Sequence, residues 1–288
     1  MKILVYGAGV LGSLYAARLH DAGHDVSLLA RGDRLASLRK RGVLLAENES
    51  TSVRQVPVSA VESPAGKYDL ILVLVRSHQV DSVLEQLVES DGDVLFLVNW
   101  AGGPEPLAEA IGRERVLLGF GNQGGTMDGD IVRYGRRTLL TRLVHMPIGE
   151  IDGQTTPRVE RIVRMFRSAG FTGKAEPRMD AWLKTHAAFE VPLAHAVHTA
   201  GDPNALAGNR ASLRDMVRLI RQNLEALPMR PVPRAFGALR VLPHGVLIAL
   251  FRLLLRSSAA APLGTTSPAA LGELNLLAEQ VDGLARRR

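Results

Sequence analysis

The sequence predicts an α/β chain in two parts: a doubly wound, mostly parallel sheet, followed by an all-α C-terminal domain. Two observations predict it. Short runs rich in Val, Ile and Leu alternate with helix-period patterns through the first hundred residues, and from Met179 onward nearly every segment reads as helix. The length of 288 residues suits two domains, placed at 1–172 and 173–288, with the turn from one texture to the other between Ala169 and Met179.

Taken in order, KILVYG (2–7), DVSLLA (25–30), DLILVLV (69–75) and DVLFLVN (93–99) are apolar on both faces and read as buried parallel strands. Helix-period apolar residues fill Leu11–Ala22, Asp33–Lys40 and Gln79–Glu89 between them. Residues 42–58 read as an inserted extended pair around the polar ENES. Gly-punctuated strands are expected at 115–120, 130–135, 137–144 and 146–151, finishing the sheet. A helix over 156–168 and a short extended piece near 171–176 close the first part. Helices are then expected at 179–199, 210–226, 241–256 and 269–285, separated by the turn chemistry of AGDPN (200–204), PMRPVP (228–233) and AAAPLGTTSP (259–268). Pro192 removes an N–H donor inside the first of these, so a kink is expected near Ala188.

The most informative local motif is Gly7-Ala8-Gly9-Val10-Leu11-Gly12, which follows a strand directly and opens a helix. In that setting it is a dinucleotide-binding turn of Rossmann type. Gly7 permits the tight turn, Gly9 lets the backbone approach a pyrophosphate, and Gly12 lets helix and strand pack closely. The end of the second strand bears on which dinucleotide. An acidic residue there binds ribose hydroxyls, whereas this strand ends in Leu29-Ala30-Arg31-Gly32-Asp33-Arg34. Guanidinium forks suit a 2′-phosphate, so NADP is favoured over NAD, with Asp33 expected to cap the following helix.

Composition removes several alternatives. With no cysteine, disulfide scaffolds, thiolate zinc sites, iron–sulfur clusters and a cysteine nucleophile are excluded. The 35 Lys+Arg against 29 Asp+Glu leave +6, which invites a nucleic-acid reading. Residues 1–170, however, hold 20 basic and 20 acidic groups, and residues 171–288 hold 15 and 9. The excess lies in helices without an aromatic-interleaved basic surface, so no nucleic-acid partner is expected. The apolar run 245–255 is too short for a membrane span and is interrupted by Arg252; it reads as a buried helix or a subunit contact, and a homodimer is expected. With no signal-peptide layout at the start, the expected compartment is the cytoplasm.

With GAGVLG, ARGDR (30–34), LVLVRSHQV (72–80), VNWAGG (98–103), LLGFGNQGGTMDGDIVRYG (117–135), PIGEIDG (147–153) and AWLKTH (181–186), the chain resembles ketopantoate reductases over roughly residues 1–200. Those enzymes reduce 2-dehydropantoate with NADPH, and bind cofactor and substrate between a Rossmann domain and a helical one. The resemblance implies that Arg31 binds the 2′-phosphate, and that Arg76 stands near the cofactor where the family has a lysine. It implies that Asn99 touches cofactor and substrate, that the backbone at Gly124 or Gly125 meets the cofactor, and that Lys184 donates the proton. Ser267 and either Glu273 or Glu279 stand as loose counterparts of the family's substrate-binding Ser and Glu, with Glu273 preferred. Two family asparagines are replaced, by Ala188 and by Val191 before Pro192.

The chemistry expected is hydride transfer to a small anionic 2-oxo acid or related carbonyl compound, with the Lys184 ammonium as acid. Lys184 is one of two lysines in residues 171–288, against 13 arginines, which makes a titratable amine there informative. His186 is four residues from Glu190, within i,i+4 reach; His186, His195 and His198 read as ordinary helix-packing residues, with a polar pocket in place of the missing asparagines as the alternative. No metal site is expected, because no carboxylate cluster matches the histidine spacing. The alternative from another class is a non-catalytic NADP-binding sensor or partner-binding protein.

Overall fold

The computed structural model describes residues 1–135, 144–257, 260 and 268–286. The chain divides into two compact units. The first comprises Met1–Val75, Gln79–Val98 and Pro104–Met179; the second comprises Asp180–Arg288 together with Arg76–His78 and Asn99–Gly103.

The first unit is built on an eight-stranded sheet. Its strands are β1 (Lys2–Tyr6), β2 (Asp25–Leu29), β5 (Ser59–Val61), β6 (Leu70–Val73), β7 (Asp93–Phe96), β8 (Val116–Gly119), β11 (Met146–Glu150) and β12 (Gly173–Ala175). Their spatial order is β12-β11-β8-β7-β6-β1-β2-β5. From β5 to β8 every pairing is parallel; β11 then runs antiparallel to β8. Ile3 pairs with Val26 on one side and Leu70 on the other, so β1 sits where the strand order reverses. Ile3, Leu4, Val5 and all of β6 are buried, as expected for strands covered on both faces. The covering helices are α1 (Val10–Asp21), α2 (Gly32–Arg41), α3 (Val80–Leu87), α4 (Glu105–Ile111) and α5 (Pro157–Ser168). Tyr15 of α1, Phe166 of α5 and Phe171 form an aromatic knot, with Tyr15 edge-on to Phe166 at 5.9 Å.

Because β12 pairs with β11, this unit extends through Met179, past the 172/173 division expected from texture. The expected pair within 42–58 is present as β3 (Val43–Glu47) and β4 (Arg54–Val56), antiparallel to each other. The strand expected at 130–135 does not finish the main sheet. It is β10 (Ile131–Tyr134), which joins a second, four-stranded sheet in the order β4-β3-β10-β9, where β9 is Gly125–Asp128. The reason is burial: only Val132 of β10 is buried, beside Leu45 in register, whereas the main-sheet strands need apolar residues on both faces. The strand expected at 137–144 lies outside the described residues, apart from residue 144.

The second unit is helical: α6 (Met179–Ala200), α7 (Pro203–Gly208), α8 (Arg210–Ala226), α9 (Ala238–Val241), α10 (His244–Leu255) and α11 (Pro268–Arg286). Leu213, Met216, Val217, Ile220 and Leu224 recur at helical spacing along α8 and pack with Leu247, Ile248, Phe251 and Leu255 of α10. Asn209 caps α8 by accepting from the backbone N–H groups of Ala211 and Ser212. The helix expected over 241–256 is present as α10 and starts at His244, because Pro243 disfavours the helical region for Leu242, which is extended (ψ 142°). α6 instead runs through Pro192. The Ala188 carbonyl, which loses its usual N–H partner to that proline, accepts from Nδ2 of Asn223 at 3.4 Å. Among the described residues no helix is long and apolar enough to cross a membrane.

Candidate active site

In the first unit the glycine turn lies at the strand-order reversal. Gly7 has φ +113°, and a Cβ there would lie 2.5 Å from the Leu74 carbonyl oxygen at the end of β6. Gly12 is more constrained still, since a Cβ would meet the Gly7 oxygen at 1.7 Å. Gly9, between them, faces open space: a Cβ there would have nothing within 4 Å. It forms the N-cap of α1 without any side-chain cap, and no acidic residue occupies the helix's first turn. The turn thus combines tight packing behind with an open, electropositive helix end in front, which suits a pyrophosphate. Gly125, adjoining Gly124, closes on the same place, with Val10 Cγ1 3.0 Å from where its Cβ would be.

The two arginines after β2 have separate fates. Arg34 is used structurally: Nε donates to the Ala8 carbonyl (3.2 Å), Nη2 to Ser13 Oγ (3.0 Å), and Nη1 pairs with Asp130 (3.3 Å). Arg31 is exposed at the N-cap of α2, and its Nη2 donates to Gln86 Oε1 and to the Tyr6 hydroxyl. Asp33 is not the cap. It lies in the first turn of α2, where its charge meets the helix dipole instead.

The second unit assembles two polar clusters. Arg76 Nη1 pairs with Glu273 Oε2 at 2.5 Å, and Glu273 Oε1 accepts from the backbone N–H of Ser77 at 3.3 Å. Along α6, Lys184 Nζ pairs with Asp180 Oδ2 at 2.6 Å with its side chain only 12% exposed. His186 stacks on Trp182 (centroids 5.1 Å apart), and its Nε2 lies 2.9 Å from Glu190 Oε2. The other Glu190 oxygen faces the Asn99 amide nitrogen at 3.4 Å. Ala101 N–H donates to Gln280 Oε1 at 2.8 Å, tying the segment after β7 to α11.

Residues 3–141 match a family model described as ketopantoate reductase PanE/ApbA. Over those residues, just under half of the chain, it is similar to the ketopantoate reductase family. Among curated relatives, a 2-dehydropantoate 2-reductase of Archaeoglobus fulgidus is 29% identical over 177 residues, 60% of this chain and 55% of that protein. One of Pyrococcus horikoshii is 27% identical, covering 63% and 58%. The chain thus spans a little over half the length of these relatives. Among solved structures, a 2-dehydropantoate 2-reductase of Geobacter metallireducens covers 99% of this chain and 98% of its own, with TM-score 0.69 at 19% identity. That likeness is one of fold, and it includes the helical unit.

Against the family's pattern, the positions of its two missing asparagines are explained by packing. Ala188 is fully buried in the apolar core of α8 and α10, and Val191 is buried against Leu277 and Val281 of α11. An amide at either place would need a buried partner. Of the three candidate histidines, His186 joins Trp182 and Glu190, whereas His195 and His198 are exposed, which does not favour a polar pocket built from all three. Glu273 is buried beside Arg76, whereas Glu279 is exposed; Ser267 lies outside the described residues. Glu190 is the residue that sequence reasoning undervalued. Its i,i+4 relation to His186 is legible, but its contact with Asn99 spans 91 positions and leaves no local signal. Among the described residues no metal-ligating cluster is present.

Proposed function

We propose that the protein is an NADPH-dependent reductase of a small, anionic 2-oxo acid or related carbonyl compound. The observation that carries the reading is the glycine turn at the strand-order reversal, with Arg31 as an exposed cation at the end of the next strand. Gly7, Ala8, Gly9, Val10, Leu11 and Gly12 would hold the pyrophosphate, Arg31 the 2′-phosphate, and Arg76, Asn99 and Gly124 further parts of the cofactor. When bound, a reduced nicotinamide supplies the hydride. Lys184, anchored by Asp180, donates the proton to the carbonyl oxygen; Asn99 orients the substrate, its amide held by Glu190. Glu273 is the substrate-side carboxylate of this reading, released from Arg76 or acting alongside it. Because Ala188 and Val191 remove two amide contacts, the substrate is proposed to differ from 2-dehydropantoate in the groups that such amides would bind. A homodimer in the cytoplasm belongs to the same reading, supported by the exposed Val246, Leu250 and Leu253 of α10 and checked by sedimentation.

The test is oxidation of NADPH in the presence of 2-dehydropantoate and a panel of 2-oxo acids. Turnover of at least one is expected. Tight NADPH binding with no turnover of any carbonyl compound would favour a non-catalytic NADP sensor.

A further inference from the structure

We infer that Gln86 is a positioning residue that sets the preference for a 2′-phosphorylated dinucleotide, by holding the Arg31 guanidinium with an uncharged acceptor. The inference rests on the reading of Arg31 as a 2′-phosphate ligand.

Three elements of the first unit converge there: the end of β1 brings Tyr6, the start of α2 brings Arg31, and α3 brings Gln86. The Tyr6 hydroxyl donates to Gln86 Oε1 at 2.8 Å. Arg31 Nη2 donates to the same oxygen at 2.5 Å and to the Tyr6 oxygen at 3.3 Å. The amide's orientation is determined by its other end, because Gln86 Nε2 donates to the Ser82 carbonyl one turn back at 3.1 Å. Gln86 therefore turns its acceptor toward two donors, the only arrangement in which all three groups are satisfied. Tyr6 has to keep its proton to complete it, and burial, the largest influence on that phenol, pushes its pKa up.

The consequence is electrostatic. Among the described residues no carboxylate pairs with Arg31, and its Nε and Nη1 donate no hydrogen bond. The fork is aimed through one nitrogen while its full charge and the remaining donors stay available for a dianion. Arg34 shows the contrasting case, with all three nitrogens engaged and Asp130 as a counter-charge. A glutamate in place of Gln86 would keep the acceptor geometry, neutralise Arg31 and repel an incoming phosphate.

The experiment is titration of the full-length protein with NADPH and with NADH, followed by nicotinamide fluorescence, for wild type, Arg31→Ala, Gln86→Glu and Gln86→Leu. Gln86→Glu is expected to weaken NADPH binding about tenfold or more, a change of about 1.4 kcal/mol, and to shift NADH binding less than about twofold. Gln86→Leu, which removes the acceptor without adding charge, is expected to cost roughly threefold for NADPH alone. Equal weakening of both nucleotides would mean that Gln86 only supports the fold, and would overturn the inference. A wild-type NADPH/NADH ratio in both Gln86 variants, with that ratio abolished in Arg31→Ala, would overturn it while leaving the role of Arg31 intact. An unchanged ratio in Arg31→Ala would overturn both.

Discussion

Glu150 ends β11 with its side chain only 4% exposed, and it is tolerable there because Arg158 of α5 reaches it. Arg158 Nε donates to Glu150 Oε1 at 2.7 Å and Nη1 to Asp93 Oδ1 at 2.7 Å, joining β7, β11 and α5. Those partners, Glu150 foremost, raise the arginine's pKa despite the opposing effect of burial. Removing the cation would leave a buried carboxylate unpaired. Arg158→Ala is expected to destabilise the protein by about 3–5 kcal/mol, measured by urea unfolding, whereas a surface ion pair such as Arg218–Asp215 should contribute under about 1 kcal/mol. At the same scale, Lys184→Ala is expected to lower kcat by about 10²–10⁴-fold in whichever carbonyl reduction the substrate panel reveals, with NADPH affinity retained. Lys184→Arg should not restore the rate, because a guanidinium keeps its proton. The glycine turn and Arg31 were legible as residue types at fixed offsets from a strand, and Lys184, the proposed proton donor, through the family resemblance. Glu150 with Arg158, and Asn99 with Glu190, were not, because a pair that meets only through tertiary folding has no periodic trace.

At the scale of elements, α1 is held against β1 by the absence of one carbon atom. Gly12→Ala would drive a Cβ into the Gly7 carbonyl, so this variant is expected to lose NADPH binding, assayed by fluorescence titration, and to melt earlier than wild type. α6 depends on a borrowed donor. Asn223→Leu would strand the Ala188 carbonyl, at an expected cost of about 1–3 kcal/mol, with faster amide exchange localised around residues 188–192 as the discriminating measurement. The sequence pattern placed β1, β2, β6, β7 and the α8 helix closely, because continuous apolar runs and the 3.6-residue period are direct records of burial; it missed the edge strand β5, whose three residues are not buried. It missed α7, since Asp202-Pro203-Asn204 reads as a turn, although the same residues are an N-cap followed by proline at the first helical position. It set the start of α10 three residues early, at Val241, and missed α9, whose four residues are too few to show a helical period. β9 was invisible for a different reason: all four of its residues are exposed, so no hydrophobic alternation marks it.

At the scale of the whole molecule, ligand binding should report on the fold. A dinucleotide that binds only the folded chain adds about 2.7 kcal/mol at a hundredfold excess over Kd, so NADPH is expected to raise the melting temperature in a concentration-dependent way. NADH at equal concentration should raise it less, and the difference should vanish in Arg31→Ala. The division of the chain into units carries a further consequence, for the order in which the protein is made. The helical unit includes two short segments, Arg76–His78 and Asn99–Gly103, that belong in sequence to the sheet-building half. Glu273 waits for a cation 197 positions earlier, and Gln280 for a backbone amide 179 positions earlier. Loop-closure entropy disfavours such contacts early, so α11 is expected to fold last, completing a unit whose first residues are synthesised long before. A ribosome-bound chain ending before residue 268 therefore presents Ala101 without its α11 partner, and a protease added at that stage should cut there, whereas in the full chain Ala101 is buried.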